Sequence, residues 1–93
     1  MPQVKDNPAT SRFEMRSGDS TAFVEYGRAG DRIVLVHTQA PEALSGKGVG
    51  SKLVRRALDA LQAEGLKVVP RCDFVAAYIE RHPEYRAMVA GGG

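Results

Sequence analysis

The sequence is short of most of the residues that build reactive or membrane-bound folds. It has one cysteine, no tryptophan, two histidines and 6% aromatic residues. The single thiol, Cys72, excludes an internal disulfide, and neither it nor the histidines fall at zinc-finger spacing. No apolar run approaches the ~20 residues that a helix needs to cross a bilayer. Met1 to Thr10 lacks the apolar stretch of a secretory signal, so a reducing, cytoplasmic setting is expected. Charge of one sign is scarce as well. Thirteen basic residues face eleven acidic ones, a net +2, too little to argue for nucleic acid on electrostatics. What remains is ordinary for a globular chain: 93 residues, 43% apolar. One domain fits, burying roughly 60–70% of the surface that its unfolded chain exposes.

Along the chain, Met1 to Ser11 carries two prolines and mostly polar side chains and reads as a flexible lead-in, with the domain proper over 12–90. Arg12 to Arg16 alternates, placing Phe13 and Met15 on one face of a strand. Ser17 to Ser20 is turn chemistry. Thr21 to Tyr26 reads as a second strand, Gly27 to Asp31 as a turn, and Arg32 to Thr38 as a third strand. Its run Ile33-Val34-Leu35-Val36 suggests burial on both faces. Phe13 and Phe23 are read as core. From position 48 the period becomes helical: Val49, Leu53, Val54, Ala57, Leu58 and Leu61 share a face, and Gly65 stops the helix. Leu66 to Pro70 returns to strand. Asp73, as N-cap, starts a short helix to Arg81, and Pro83 opens another. Gly91 to Gly93 is a flexible tail. The fold class is α+β: an antiparallel meander, then helix, strand and short closing helices.

The segment Ser45-Gly46-Lys47-Gly48-Val49-Gly50-Ser51 stands between the third strand and the long helix. Three glycines at alternate positions expose backbone N–H groups at the positive end of a helix dipole, a site for phosphate or pyrophosphate. Lys47, Lys52, Arg55 and Arg56 follow with no acid among them. Cations there oppose the dipole unless an anion joins them. The spacing excludes a Walker P-loop, because Pro41 and Gly48 stand where glycine and a hydroxyl residue are required. It also excludes the dinucleotide fingerprint, which needs glycine at Ser51 and a preceding βαβ strand.

Strand, glycine loop, amphipathic helix and strand in this order resemble the acetyl-CoA site of the GNAT acetyltransferase superfamily. Its loop, [QR]-x-x-G-x-[GA], aligns with Ser45 to Gly50, with Ser45 in place of the long leading side chain. Val36-His37-Thr38, Pro41-Glu42, Pro70-Arg71-Cys72 and His82-Pro83-Glu84-Tyr85 extend the resemblance to small GNAT-like proteins of the N-acetyltransferase domain-containing 1 type. The resemblance implies a truncated GNAT fold that binds acetyl-CoA. Backbone groups of His37 and Thr38 would hold pantetheine, and Gly46, Lys47, Gly48, Val49, Gly50 and Ser51 the pyrophosphate.

The resemblance also sets Cys72 beside the acetyl group, where a helix N-terminus and Arg71 would favour its thiolate. Cys72 and His37 are the candidate catalytic residues. Glu42 is a candidate for orienting the loop or accepting a proton, and Tyr78 for protonating the leaving thiolate, although packing explains Tyr78 as well. The function implied is acetyl transfer to an amine that no motif identifies, on a small molecule or a protein. Two other classes compete: a CoA-binding module without efficient catalysis, and a small nucleic-acid-binding domain. No aromatic residue interleaves the basic patch, which leaves the last without stacking support. No metal ligand set is read, and a monomer is expected because no long apolar stripe is left over.

Overall fold

The sheet begins earlier than the composition of the N-terminus suggests. The computed structural model describes residues 4–17, 19–40 and 48–90. Its elements run β1 (Val4–Asn7), β2 (Arg12–Ser17), β3 (Ser20–Ala29), β4 (Arg32–Gln39), α1 (Val49–Ala63), β5 (Lys67–Pro70) and α2 (Asp73–Arg81), closed by a 3₁₀ helix over Pro83–Met88. The strands lie in the order β1-β2-β3-β4-β5. The first four pair antiparallel, and β5 joins β4 in parallel, as the α1 crossover requires.

β1 corrects the reading of a flexible lead-in at Val4 to Asn7, which form a strand. Val4 to Asn7 pair with Met15 back to Arg12. Two side-chain bonds fasten the strand: Tyr26 Oη donates to Asp6 Oδ1 at 2.6 Å, and Asn7 Nδ2 donates to Glu14 at 3.2 Å. A partly exposed edge strand has no apolar run to announce it. Its partners, not its own composition, order it. β3 likewise runs on to Ala29, so that only Gly30 and Asp31 turn the chain, with Gly30 at φ 67°.

α1 and α2 cover one face of the sheet. Phe13, Met15, Val24, Tyr26, Ile33, Leu35 and Val68 point into that layer and meet Leu53, Val54, Leu58 and Leu61 of α1 and Val75 and Ile79 of α2. The other face carries Arg12, Phe23, Glu25 and His37, none of them buried. β4 is therefore buried on one face, not two. Ile33 and Leu35 are fully buried, whereas Val36 is 43% exposed. Phe23 is a second correction. Its neighbours Ala22 and Val24 take the core positions, and the period of two turns Phe23 to the open face, under the Arg12 guanidinium at 4.0 Å.

The helix ends follow local chemistry. At the end of α1, Leu66 N–H bonds the Leu61 carbonyl and Gly65 N–H the Gln62 carbonyl, with Gly65 at φ 73°. This is a Schellman stop. Cys72, not Asp73, is the N-cap of α2, and Asp73 sits in the first turn, where an acid complements the dipole. At its other end His82 Nδ1 donates to the Tyr78 carbonyl at 2.9 Å, and its ring stacks on Tyr78 at 4.0 Å. The His82-Pro83 pair is thus a helix terminator. No helix among the described residues is long and apolar enough to cross a membrane.

Candidate active site

The site is built where two strands part. β3 and β4 change register between Glu25 and Tyr26, so that Glu25 faces His37 while Tyr26 faces Leu35. Val36 is the extra residue of this bulge, past which β4 stays paired with β3 as far as Gln39. On the other side the β4–β5 ladder ends at Leu35 and Pro70. The chain then turns off: Arg71 and Cys72 N–H both bond the Leu35 carbonyl, at 3.0 and 2.9 Å. β5 offers no further partner to Val36 through Gln39, whose outer backbone edge faces the opening.

Near this corner, through the contact of the Phe74 ring with Gly50, stands the N-terminus of α1. Gly48 is its N-cap, at φ 70° and ψ 17°, with no side-chain cap and no acid in the first turn. The first helical bond runs from Lys52 N–H to the Gly48 carbonyl at 3.0 Å. The N–H groups of Val49, Gly50 and Ser51 therefore have no partner within the helix. Space around Gly48 is open, so its positive φ, not crowding, is what favours glycine there. Gly50 differs. A Cβ at Gly50 would lie 2.9 Å from Cζ of Phe74, whose ring stands over this first turn. Gly46 and Lys47, with Pro41 and Glu42, lie outside the described residues.

Cys72 is half-buried, and its Sγ donates to Thr38 Oγ1 at 3.4 Å. Burial by itself pushes the thiol pKa up. The Thr38 hydroxyl, and the Val75 and Phe74 N–H groups that point toward the sulfur without closing a full cap, outweigh it and leave the pKa lowered. Arg71, expected to help, is exposed and is not among the causes. The N-termini of both helices thus converge on the corner that holds Thr38 and Cys72.

His37 is elsewhere. It pairs with Glu25, between the inward-facing Val24 and Tyr26, and its exposed ring lies 6.1 Å from Phe23 on the open face. The structure joins Thr38 to Cys72 and separates the His37 imidazole from both. Tyr78 is 6% exposed, and burial raises its pKa, an effect that Asp59 and Glu84 reinforce and Arg55 opposes. Its ring packs between His82 and Tyr85. The residue missed in the sequence is Phe74: α-helical periodicity marks a face, not a ring reaching across to another helix. No cluster of metal-binding side chains occurs among the described residues.

Comparison with known proteins agrees with this architecture. The chain is 36% identical to Protein NATD1 of Gallus gallus over an alignment of 84 positions that covers 87% of this chain and 76% of that protein. It is 36% identical to Protein NATD1 of Homo sapiens over 63 residues, 67% of this chain and 56% of that protein. The chain thus spans little more than half the human relative. A GCN5-like protein from Staphylococcus aureus, solved by NMR, superposes with a TM-score of 0.73 at 23% identity, covering 96% of this chain and 88% of that one. This likeness shows the fold. Residues 12–88 match the family model of the GCN5-related N-acetyl-transferases. From the meander at Arg12 to the end of the 3₁₀ helix at Met88, the chain belongs to the GCN5-related N-acetyltransferase family.

Proposed function

We propose that the chain binds acetyl-CoA and transfers the acetyl group to an amine. The observation that carries this reading is the uncapped N-terminus of α1 at the point where β4 leaves β5. The N–H groups of Val49, Gly50 and Ser51, with the loop before them, would take the pyrophosphate. The free edge of β4, from Val36 through Thr38, would bond the pantetheine amides as an added strand does. A β4 N–H would polarise the thioester carbonyl. The amine nitrogen then bonds the carbonyl carbon and the carbon–sulfur bond breaks. Sulfur leaves as the CoA thiolate, and the proton shed by nitrogen passes to that thiolate or to solvent. His37 contributes to this scheme through its backbone.

A covalent variant is favoured by the setting of Cys72 at the start of α2, with its Sγ 3.4 Å from the Thr38 hydroxyl. In it the Cys72 thiolate takes the acetyl group first, releasing CoA, and the amine then attacks the thioester so formed. The competing reading, a CoA-binding module, is favoured by the sheet face around Phe23 and His37, where neither side chain is buried. A turnover assay over small amines, peptides and proteins separates the two. Acetyl-CoA-dependent thiol release with at least one acceptor is the expected result. Saturable CoA binding with no release for any acceptor would establish the module instead.

A further inference from the structure

Phe74 is exposed in a way that the fold does not explain. It sits in the first turn of α2, yet 44% of its surface faces solvent, and with Val36 it is one of two exposed large apolar residues among those described. It has nonetheless a fixed seat. The ring tip rests where a Gly50 Cβ would be, at 2.9 Å, with both Cε atoms at 3.5 Å. Its backbone is two residues from Cys72, and its N–H points toward the Cys72 sulfur. The ring therefore bridges the corner: its tip lies against Gly50 in the first turn of α1, and its root lies two residues from Cys72.

We infer that Phe74 is the apolar wall on which the pantetheine arm of coenzyme A lies, and that Gly50 is glycine to seat this ring. The inference rests on the proposed function. If the pyrophosphate meets the first turn of α1 and the thioester ends near Cys72, the carbon segment between them crosses the Phe74 ring. The part of the arm next to the pyrophosphate carries two methyl groups and is its most apolar section. It covers a half-exposed aromatic ring that nothing else among the described residues covers. Adenine would lie beyond the phosphates, away from Cys72, and so away from Phe74. The loop pattern accepts alanine at the position of Gly50, but in this chain alanine would collide with the ring.

Calorimetric titrations of coenzyme A into the wild type, Phe74→Ala, Gly50→Ala and the double variant test the idea. Truncating the ring should weaken coenzyme A about tenfold, the effect of losing one apolar side-chain contact. The nucleotide half of the molecule, cut to keep both phosphates, should lose nothing. Because the ring is half in water, the thermal midpoint should hardly move. Gly50→Ala should weaken coenzyme A in the wild-type background and much less in the Phe74→Ala background. Should Phe74→Ala fail to fold, Phe74→Trp supplies the only tryptophan of the chain. The emission of that variant should shift to the blue with coenzyme A and stay unchanged with the nucleotide half. Equal coenzyme A affinity in the wild type and Phe74→Ala, an indole emission in Phe74→Trp that coenzyme A leaves unmoved, or an equal loss for both ligands would overturn the inference. Failure of the wild type to bind coenzyme A would instead defeat the proposed function, and this inference with it.

Discussion

At the scale of single residues, Cys72 and Thr38 give the sharpest expectations. The Thr38 hydroxyl and the backbone groups of Val75, Phe74 and Thr38 all favour the thiolate and overcome the desolvation that would otherwise raise its pKa. Iodoacetamide should therefore alkylate Cys72 readily at neutral pH, with a rate midpoint below that of an ordinary thiol. Thr38→Val removes the hydroxyl and keeps the shape. The midpoint should move up and alkylation at neutral pH should slow. An unchanged midpoint would show that Thr38 does not govern the thiol. Cys72→Ser then divides the mechanisms: direct transfer predicts turnover within a few fold of wild type, and a covalent route predicts its loss with coenzyme A still bound. Two tyrosines set the alkaline limit. Tyr26 and Tyr85 are pushed up to about 12, first by burial and then by donating to Asp6 and Asp59. A raised phenol pKa means that the fold favours the neutral form. Its contribution is present below the ordinary value of 10.0 and is lost as pH rises toward 12. Denaturant titrations should show stability falling over that window. In Tyr26→Phe/Tyr85→Phe the fall should be smaller, from a plateau lowered by about 1 kcal/mol or more per lost hydrogen bond.

At the scale of elements, the proposed function turns on the start of α1 and on the bulge in β4. Because Gly48 is at φ 70° with open space around it, Gly48→Val would test backbone strain as much as ligand contact. Gly48→Asn is the cleaner probe, since asparagine tolerates the left-handed region and adds a side chain at the mouth. The melting temperature should stay within a few degrees of wild type while coenzyme A affinity drops by about tenfold or more. Retained affinity would remove this turn from the site. Neighbours in a strand always serve opposite faces, and the bulge decides which face His37 and Thr38 each take. Strict alternation from Leu35 would have sent His37 inward. The extra residue Val36 reverses that phase, so that Thr38 faces the Cys72 side.

At the scale of the molecule, most of the fold was legible, because helical and strand periods differ and the chain switches between them at α1, β5 and α2. α1, β5, α2 and the three central strands follow from side-chain patterning alone. β1 does not, since a four-residue edge strand is specified by its partner and by Tyr26 reaching Asp6. The start of α1 behind the glycine-rich segment was legible as a helix N-terminus, and Cys72 as a thiol at a second helix start. The bulge was not, because register depends on both strands, and with it went the position of His37. Nor was the Phe74–Gly50 contact, which joins two helices across the opening.

The central claim is that the opening between β4 and β5, headed by the N-terminus of α1, is a coenzyme A site and not a general anion site. Parallel calorimetric titrations with acetyl-CoA, CoA and ATP test it most directly. ATP offers more phosphate but no pantetheine arm to lie along β4. Both coenzyme A forms should bind saturably at one site per chain, roughly tenfold or more tighter than ATP. ATP binding as tightly as either form, or no binding of acetyl-CoA and CoA at all, would contradict it.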